Sequence, residues 1–211
     1  MTKEEFIEYL KKENIFLTND QLEKLDKFYN LLIEWNKIIN LTRIIEAKEV
    51  YLKHFYDSLT ITKVINLTKK KTLCDIGSGA GFPGIVLKIC YPNLKITLID
   101  SLNKRVVYLK EIIKSLDLKD IEAIHIRAED YNEKFDIVTA RAVANIEKLL
   151  RYSMHLLNES GQLIAMKGNI DSELDRNKIE EINKKYTIEK IEKFLLPIEN
   201  SQRSLVVIRN K

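Results

Sequence analysis

The sequence predicts an α/β fold, a mainly parallel sheet with helices on both faces, preceded by an N-terminal helical extension. Three observations carry this. From Thr72 onward, short apolar segments alternate with segments of helical periodicity, the signature of strands joined by crossover helices. A glycine-rich turn follows the first of those apolar segments, where open α/β sheets bind ligands. Upstream of Gly77 there is no glycine or proline, and the first seventy residues read as helices.

The elements follow in order. Thr2-x-x-Glu5 and Thr18-x-x-Gln21 match the capping box, in which side chains satisfy the free N–H groups of a first helical turn. Phe6, Tyr9 and Leu10 follow the first box, and Leu22, Leu25, Tyr29, Leu32, Trp35 and Ile39 follow the second at helical spacing. A third helical stretch, roughly 46–66, carries Val50, Phe55, Leu59, Ile61 and Ile65. Thr72–Ile76 reads as a strand, and Pro83 suits the first turn of the next helix because its φ is already helical. Lys95–Asp100, Ile121–Ile126, Phe135–Ala140 and Gln162–Met166 are further strands. Helices are predicted over 103–115, 145–157 and 171–185. Segments near 188–195 and 204–209 are expected to form a hairpin at a sheet edge. The division expected is a helical extension over 1–71, packed on a nucleotide-binding domain over 72–211.

Composition narrows the function classes. The chain has 211 residues, 45% hydrophobic and 31% charged, with net charge +4, ordinary for a globular protein. Lys and Arg exceed Asp and Glu by 13 to 11 over 1–71 and by 10 to 8 over 167–211, and balance at 12 each between. Such flanks permit a polyanionic partner without demanding one. No apolar run approaches the ~20 residues that span a bilayer. The charged start Met1-Thr2-Lys3-Glu4-Glu5 does not read as a secretory signal, so no membrane partner and a cytoplasmic location are expected. Cys74 and Cys90 form no C-x-x-C pair, and no histidine is spaced with a cysteine for zinc. Buried, reduced thiols and no metal are expected.

The strongest local signal is Asp75-Ile76-Gly77-Ser78-Gly79-Ala80-Gly81-Phe82-Pro83-Gly84. Gly77, Gly79 and Gly81 allow a tight turn and a close ligand approach. A dinucleotide fingerprint would have its third glycine at position 82, where Phe82 stands. Asp100 ends the second strand, nineteen residues after Gly81, where a carboxylate accepts hydrogen bonds from ribose hydroxyls. Ala128-Glu129 follows the third strand, and Arg141 ends the fourth at the ligand-binding edge of the sheet. Together these residues predict a nucleoside site.

With those residues in hand, the chain resembles the bacterial 16S ribosomal RNA (guanine-N7) methyltransferases, the glucose-inhibited division protein B family. The resemblance covers almost the whole chain. It rests on Trp35-Asn36 with Asn40-Leu41-Thr42, His54 with Asp57-Ser58-Leu59, the 75–84 loop, and Asp100-Ser101 with Lys104-Arg105. Ala128-Glu129, Arg141-Ala142, Lys167-Gly168 and Arg203 also match. It implies a Rossmann-like class I methyltransferase fold with S-adenosylmethionine as cofactor. The implied substrate is N7 of a guanine in the decoding-region loop of 16S rRNA, met as RNA or small ribosomal subunit. It also implies cofactor contacts from Gly77, Phe82, Ala128, Glu129 and Arg141.

The chemistry agrees. Guanine N7 has an in-plane lone pair and no proton to lose, so positioning matters more than a base. The [DN]-P-P-[FY] motif of exocyclic-amine methyltransferases is replaced by Thr139-Ala140-Arg141-Ala142, and no cysteine nucleophile follows Cys90. The expected catalytic residues are Arg141 and Lys167, and the expected cofactor residues are Asp75, Gly77, Gly79, Gly81, Phe82, Asp100, Ala128, Glu129 and Arg141. Lys167 and Arg203 are expected to bind RNA phosphate. His54 is expected to satisfy a local hydrogen bond, and Tyr29 and Trp35 to pack. A monomer is expected. From the residues alone, a methyltransferase of another substrate, a noncatalytic nucleotide-binding module and, less favoured by Phe82, an oxidoreductase remain open.

Overall fold

The computed structural model describes residues 1–69 and 71–211. Helix α1 spans Lys3–Lys12 and α2 spans Asn19–Ile39, and both capping boxes close, with Thr2 accepting from the Glu5 N–H and Thr18 from the Gln21 N–H. The third helical stretch, here α3, is not uniform. It runs as Ala47–Val50 (α), Tyr51–Tyr56 (π), Asp57–Leu59 (α) and Thr60–Lys63 (3₁₀).

The strands are β1 Thr72–Ile76, β2 Lys95–Asp100, β3 Ile121–His125, β4 Phe135–Arg141, β5 Leu157–Lys167, β6 Tyr186–Leu195 and β7 Gln202–Asn210. Between them lie α4 Gly84–Cys90, α5 Asn103–Ser115, α6 Ile146–Ser153 and α7 Arg176–Lys185. The sheet order is β3-β2-β1-β4-β5-β7-β6. The first five strands in that order are mutually parallel, and β7 runs antiparallel between β5 and the edge strand β6. Helix α6 ends earlier than its periodicity suggests, because the apolar residues Met154, Leu156 and Leu157 turn through a 3₁₀ step into a longer β5.

Strand residues alternate between the two faces, as a period of two requires. Leu73, Ile96, Leu98 and Ile137 belong to one core, while Cys74, Ile99, Val138 and Leu163 belong to the other. The first core also takes in Phe6, Leu25, Phe28, Leu32, Phe55 and Leu59 of the N-terminal helices. Phe28 meets Phe82 with ring centroids 5.3 Å apart, and Trp35 meets Tyr108 at 5.7 Å. Each fully buried aromatic or aliphatic side chain of this core contributes about 1.5–3 kcal/mol. The helices thus cover a sheet face and bring α3 beside the carboxyl ends of β4 and β5. Among the described residues, no helix is long and apolar enough to cross a membrane. Cys74 and Cys90 are buried free thiols.

Candidate functional site

Two cavities open at the carboxyl ends of the parallel strands. The first, of about 250 Å³, lies beyond β1, β2 and β3, with Gly77, Ile99, Asp100, Ala128, Glu129 and Val143 in its lining. Its floor is the β1–α4 loop. Gly77, Gly79 and Gly81 have φ of 65°, 55° and 92°, the left-handed region that glycine enters without a Cβ penalty. The loop is pinned to β2. The N–H groups of Gly77 and Ser78 donate to Ile99 O at 2.8 and 3.1 Å. Gly79 N–H donates to Asp100 Oδ2 and Leu102 N–H to Asp100 Oδ1, both at 2.9 Å. The Asp100 carboxylate therefore shapes the loop while facing the cleft.

Asp75 works from beneath. Its Oδ2 accepts the Gly84 N–H at 3.0 Å, and its Oδ1 is buried without a partner. Burial pushes its carboxyl up to about 7, with the Gly84 hydrogen bond acting against the rise. A β-carbon on Gly77 would meet Val143 Cγ2 at 2.9 Å. A bare backbone floor, the Asp100 and Glu129 carboxylates and an apolar wall of Ile99, Ile126 and Ala128 are a donor and shape set that fits a nucleoside. Of the residues expected at the cofactor, Gly77, Asp100, Ala128 and Glu129 line this cleft. Asp75, Gly79 and Gly81 form its supporting loop. Phe82 points elsewhere, 4% exposed and stacked on the His54 ring at 4.3 Å.

The second cavity, of about 340 Å³, lies beyond β4 and β5, against α3 and the start of β7. Lys53, His54, Asp57, Arg141, Lys167 and Arg203 stand in its wall. Arg141 is anchored on three sides. Its Nη1 donates to Lys53 O at 2.9 Å and Asp57 Oδ2 at 3.1 Å, its Nη2 reaches His54 Nδ1 at 3.0 Å, and its guanidinium lies 5.2 Å from the Phe82 ring centre. Because Nδ1 faces a guanidinium, the His54 proton belongs on Nε2, which lies 3.0 Å from Thr42 Oγ1. Burial first, and the Arg141 charge second, hold His54 neutral, with its pKa down at about 3. The local hydrogen bond expected of His54 is thus one made to both loop and strand.

Arg203 and Lys167 are not free surface cations. Arg203 Nε donates to Asp57 Oδ1 at 2.9 Å and its Nη1 to Gln202 O at 2.9 Å. Lys167 Nζ bonds Ala144 O and pairs with the Glu173 carboxylate at 3.0 Å. Ala144 belongs to the segment between the two cavities, where Ala142 takes φ 57°, uncommon for a residue with a β-carbon. Lys167 therefore ties down a strained segment. Lys53, Asp57 and Val143 were not singled out for a role by sequence reasoning. The signal for Asp57 was its place in the motif of His54 with Asp57-Ser58-Leu59, which carried the resemblance without assigning it a role. A π turn, a form frequent at functional sites, ends immediately before Asp57.

The chain is similar to known proteins along nearly its whole length. A family model described as rRNA small subunit methyltransferase G matches residues 21–206. The ribosomal RNA small subunit methyltransferase G of Bacillus subtilis is 43% identical over 216 residues, covering 99% of this chain and 90% of its own. That of Lactobacillus helveticus is 45% identical over 218 residues, covering 99% and 91%. Among solved structures, a ribosomal protein L11 methylase from Lactobacillus delbrueckii subsp. bulgaricus superposes with TM-score 0.56 at 20% identity, over 79% of this chain and 80% of that one. A mutant of MtNAS in complex with S-adenosylmethionine gives TM-score 0.61 at 13% identity, over 89% and 74%. These structures share the fold, and at such identities only the fold. The sequence match spans both cavities and the helices that wall them, and the chain belongs to the rRNA small subunit methyltransferase G (GidB) family.

Proposed function

We propose that this chain is an S-adenosylmethionine-dependent methyltransferase of 16S ribosomal RNA in the small subunit, acting on N7 of a guanine in the decoding-region loop. The observation that carries this reading is the adjacency of a nucleoside-shaped cleft and a cation-walled cavity, parted only by the segment around Val143, in a chain of this family. Gly77, Asp100, Ala128 and Glu129 bind the cofactor nucleoside, on a loop shaped by Asp75, Gly79, Gly81 and Phe82.

When bound, S-adenosylmethionine supplies an electrophilic methyl group on a sulfonium. What the chain supplies is position. Guanine N7 carries its lone pair in the ring plane and releases no proton, so the acceptor cavity needs no general base. His54 is neutral and its Nδ1 is occupied, and both Asp57 oxygens already accept. A guanidinium has five N–H donors. Arg141 uses three of them on Lys53, Asp57 and His54, so two remain for an acceptor on the RNA. Arg203 uses two and keeps three, suited to a phosphate oxygen. Lys167 acts by holding Ala144 and with it the partition between the cavities. Holding both reactants in a near-attack geometry can remove about 7–11 kcal/mol from the barrier of such a transfer.

The 1–71 helices and the 72–211 domain work as one catalytic unit, monomeric and cytoplasmic, with the small ribosomal subunit or its RNA as partner. The test is to map 7-methylguanine in 16S rRNA from cells with and without this protein, restoring it on a plasmid. Loss and recovery of one modified guanine is the expected result. A full complement of 7-methylguanine in the cells lacking it would refute the assignment.

A further inference from the structure

Among the described residues, Asp57 is the one carboxylate lining the second cavity, and its side chain is only 8% exposed. Its two oxygens are divided between two guanidiniums from distant parts of the chain, Oδ2 to Arg141 at 3.1 Å and Oδ1 to Arg203 at 2.9 Å. Two like charges held this close in a half-buried setting repel unless an opposite charge lies between them. Two cations sharing one anion also leave one positive charge in excess. Lys53, another cation of the wall, pairs with Glu49 and Glu199, and Lys167 pairs with Glu173. These lysines are engaged by their own carboxylates, whereas the Arg141–Arg203 pair shares the single Asp57 carboxylate, which sets the separation and orientation of the two guanidiniums.

We infer that Asp57 is a positioning residue of the methyl transfer. It holds Arg141 and Arg203 side by side against the RNA, so that helix α3 dictates the geometry of the acceptor cavity. The inference rests on the reading of those two arginines as RNA-facing groups. It differs from a purely structural ion triad, which would affect stability and leave turnover per folded molecule alone.

The test is a double-mutant cycle on kcat/KM with 30S particles, beside calorimetry with S-adenosylhomocysteine and thermal unfolding. Asp57→Asn keeps one acceptor and loses the charge. It is expected to lower kcat/KM at least tenfold while ligand affinity stays within about twofold. In an Arg203→Met background the same substitution is expected to cost several-fold less, because one of the two groups it positions has gone. Asp57→Glu, which keeps the charge, is expected to restore part of the rate. If Asp57→Asn does not fold, the cycle is run with Asp57→Glu, and the same non-additivity is expected. Unchanged kcat/KM in a folded Asp57 variant, or losses that simply multiply with those of Arg203→Met, would overturn the inference while leaving the assigned reaction intact. If Arg141→Ala and Arg203→Met themselves methylate RNA normally, the reading of the cavity fails, and the role of Asp57 with it.

Discussion

Asp75 and His54 are buried titratable residues whose effects on stability run in opposite directions with pH. An unfolded Asp titrates near 3.9, whereas burial pushes Asp75 up to about 7 in the fold. The folded protein therefore holds the Asp75 proton more tightly, and this contribution is fully present below pH ~4 and lost as pH rises to ~7. His54 falls from ~6.5 when unfolded to about 3 in the fold. Its contribution is complete above pH ~6.5 and lost as pH falls toward 3. In the wild type the two slopes offset between about pH 4 and 6.5. Denaturant midpoints should show Asp75→Asn losing stability steeply on acidification, and His54→Asn gaining it. Curves parallel to wild type for both variants would contradict the burial argument. Two glycines provide a second test at this scale. A β-carbon on Gly84 would lie 2.2 Å from Leu98 Cδ2 and 2.8 Å from Asp75 Oδ2, so Gly84→Ala should cost about 1–3 kcal/mol by overpacking. At Gly79 the nearest atom would be Gly77 O at 3.7 Å. The cost of Gly79→Ala is then left-handed strain alone, about 1–2 kcal/mol. Chemical denaturation should rank Gly84→Ala as the worse.

Among the elements, α2 does more than its length suggests. Gln21 closes its capping box, and the same side chain donates from Nε2 to Ile89 O and Cys90 O at 2.9 and 3.0 Å. It therefore caps the start of α2 and the end of α4 at once. Gln21→Ala should destabilise by about 1–2 kcal/mol, more than the Thr18→Ala cap loss of about 1 kcal/mol. Thermal unfolding with both variants would decide, and an equal or smaller effect at Gln21 would show the bonds to α4 to be weak. The cap was legible in the sequence because its donors and acceptors lie three residues apart. Its second use was not, because Ile89 and Cys90 are brought close only by packing. The π turn in α3 was invisible for a related reason. The apolar spacing of 46–66 is the same for either hydrogen-bond register, and the register is chosen by what α3 packs against.

For the molecule as a whole, the modest charge of +4 matters less than where it gathers. Each RNA phosphate that the protein no longer neutralises should lower the magnitude of the salt slope of binding by about 0.7–0.9. Arg203→Met should show such a drop in filter binding of 30S particles across a salt series. Lys167→Met should barely change the slope, because its ammonium is engaged by Ala144 and Glu173, and should instead lower kcat. A full drop in slope for Lys167→Met would return that lysine to the RNA surface.

The order of strands and helices, the glycine loop and the place of Asp100 at the end of β2 were all determined by sequence alone. Each depends on short-range periodicity or on a backbone angle that only certain residues tolerate. The family motifs around His54, Asp100 and Arg141 were legible in the same way. Other features were decided only by the tertiary structure. The Asp100 carboxylate is engaged by the N–H groups of Gly79 and Leu102, Phe82 stacks on His54 instead of lining the cleft, and Lys167 is tied to the inter-cavity segment. Above all, Asp57 meets an arginine 84 residues away and another 146 residues away. A buried charge takes the partner that lies nearest in space when water is excluded, and that distance exists only once the α3 helix and the β7 strand have closed on the end of β4.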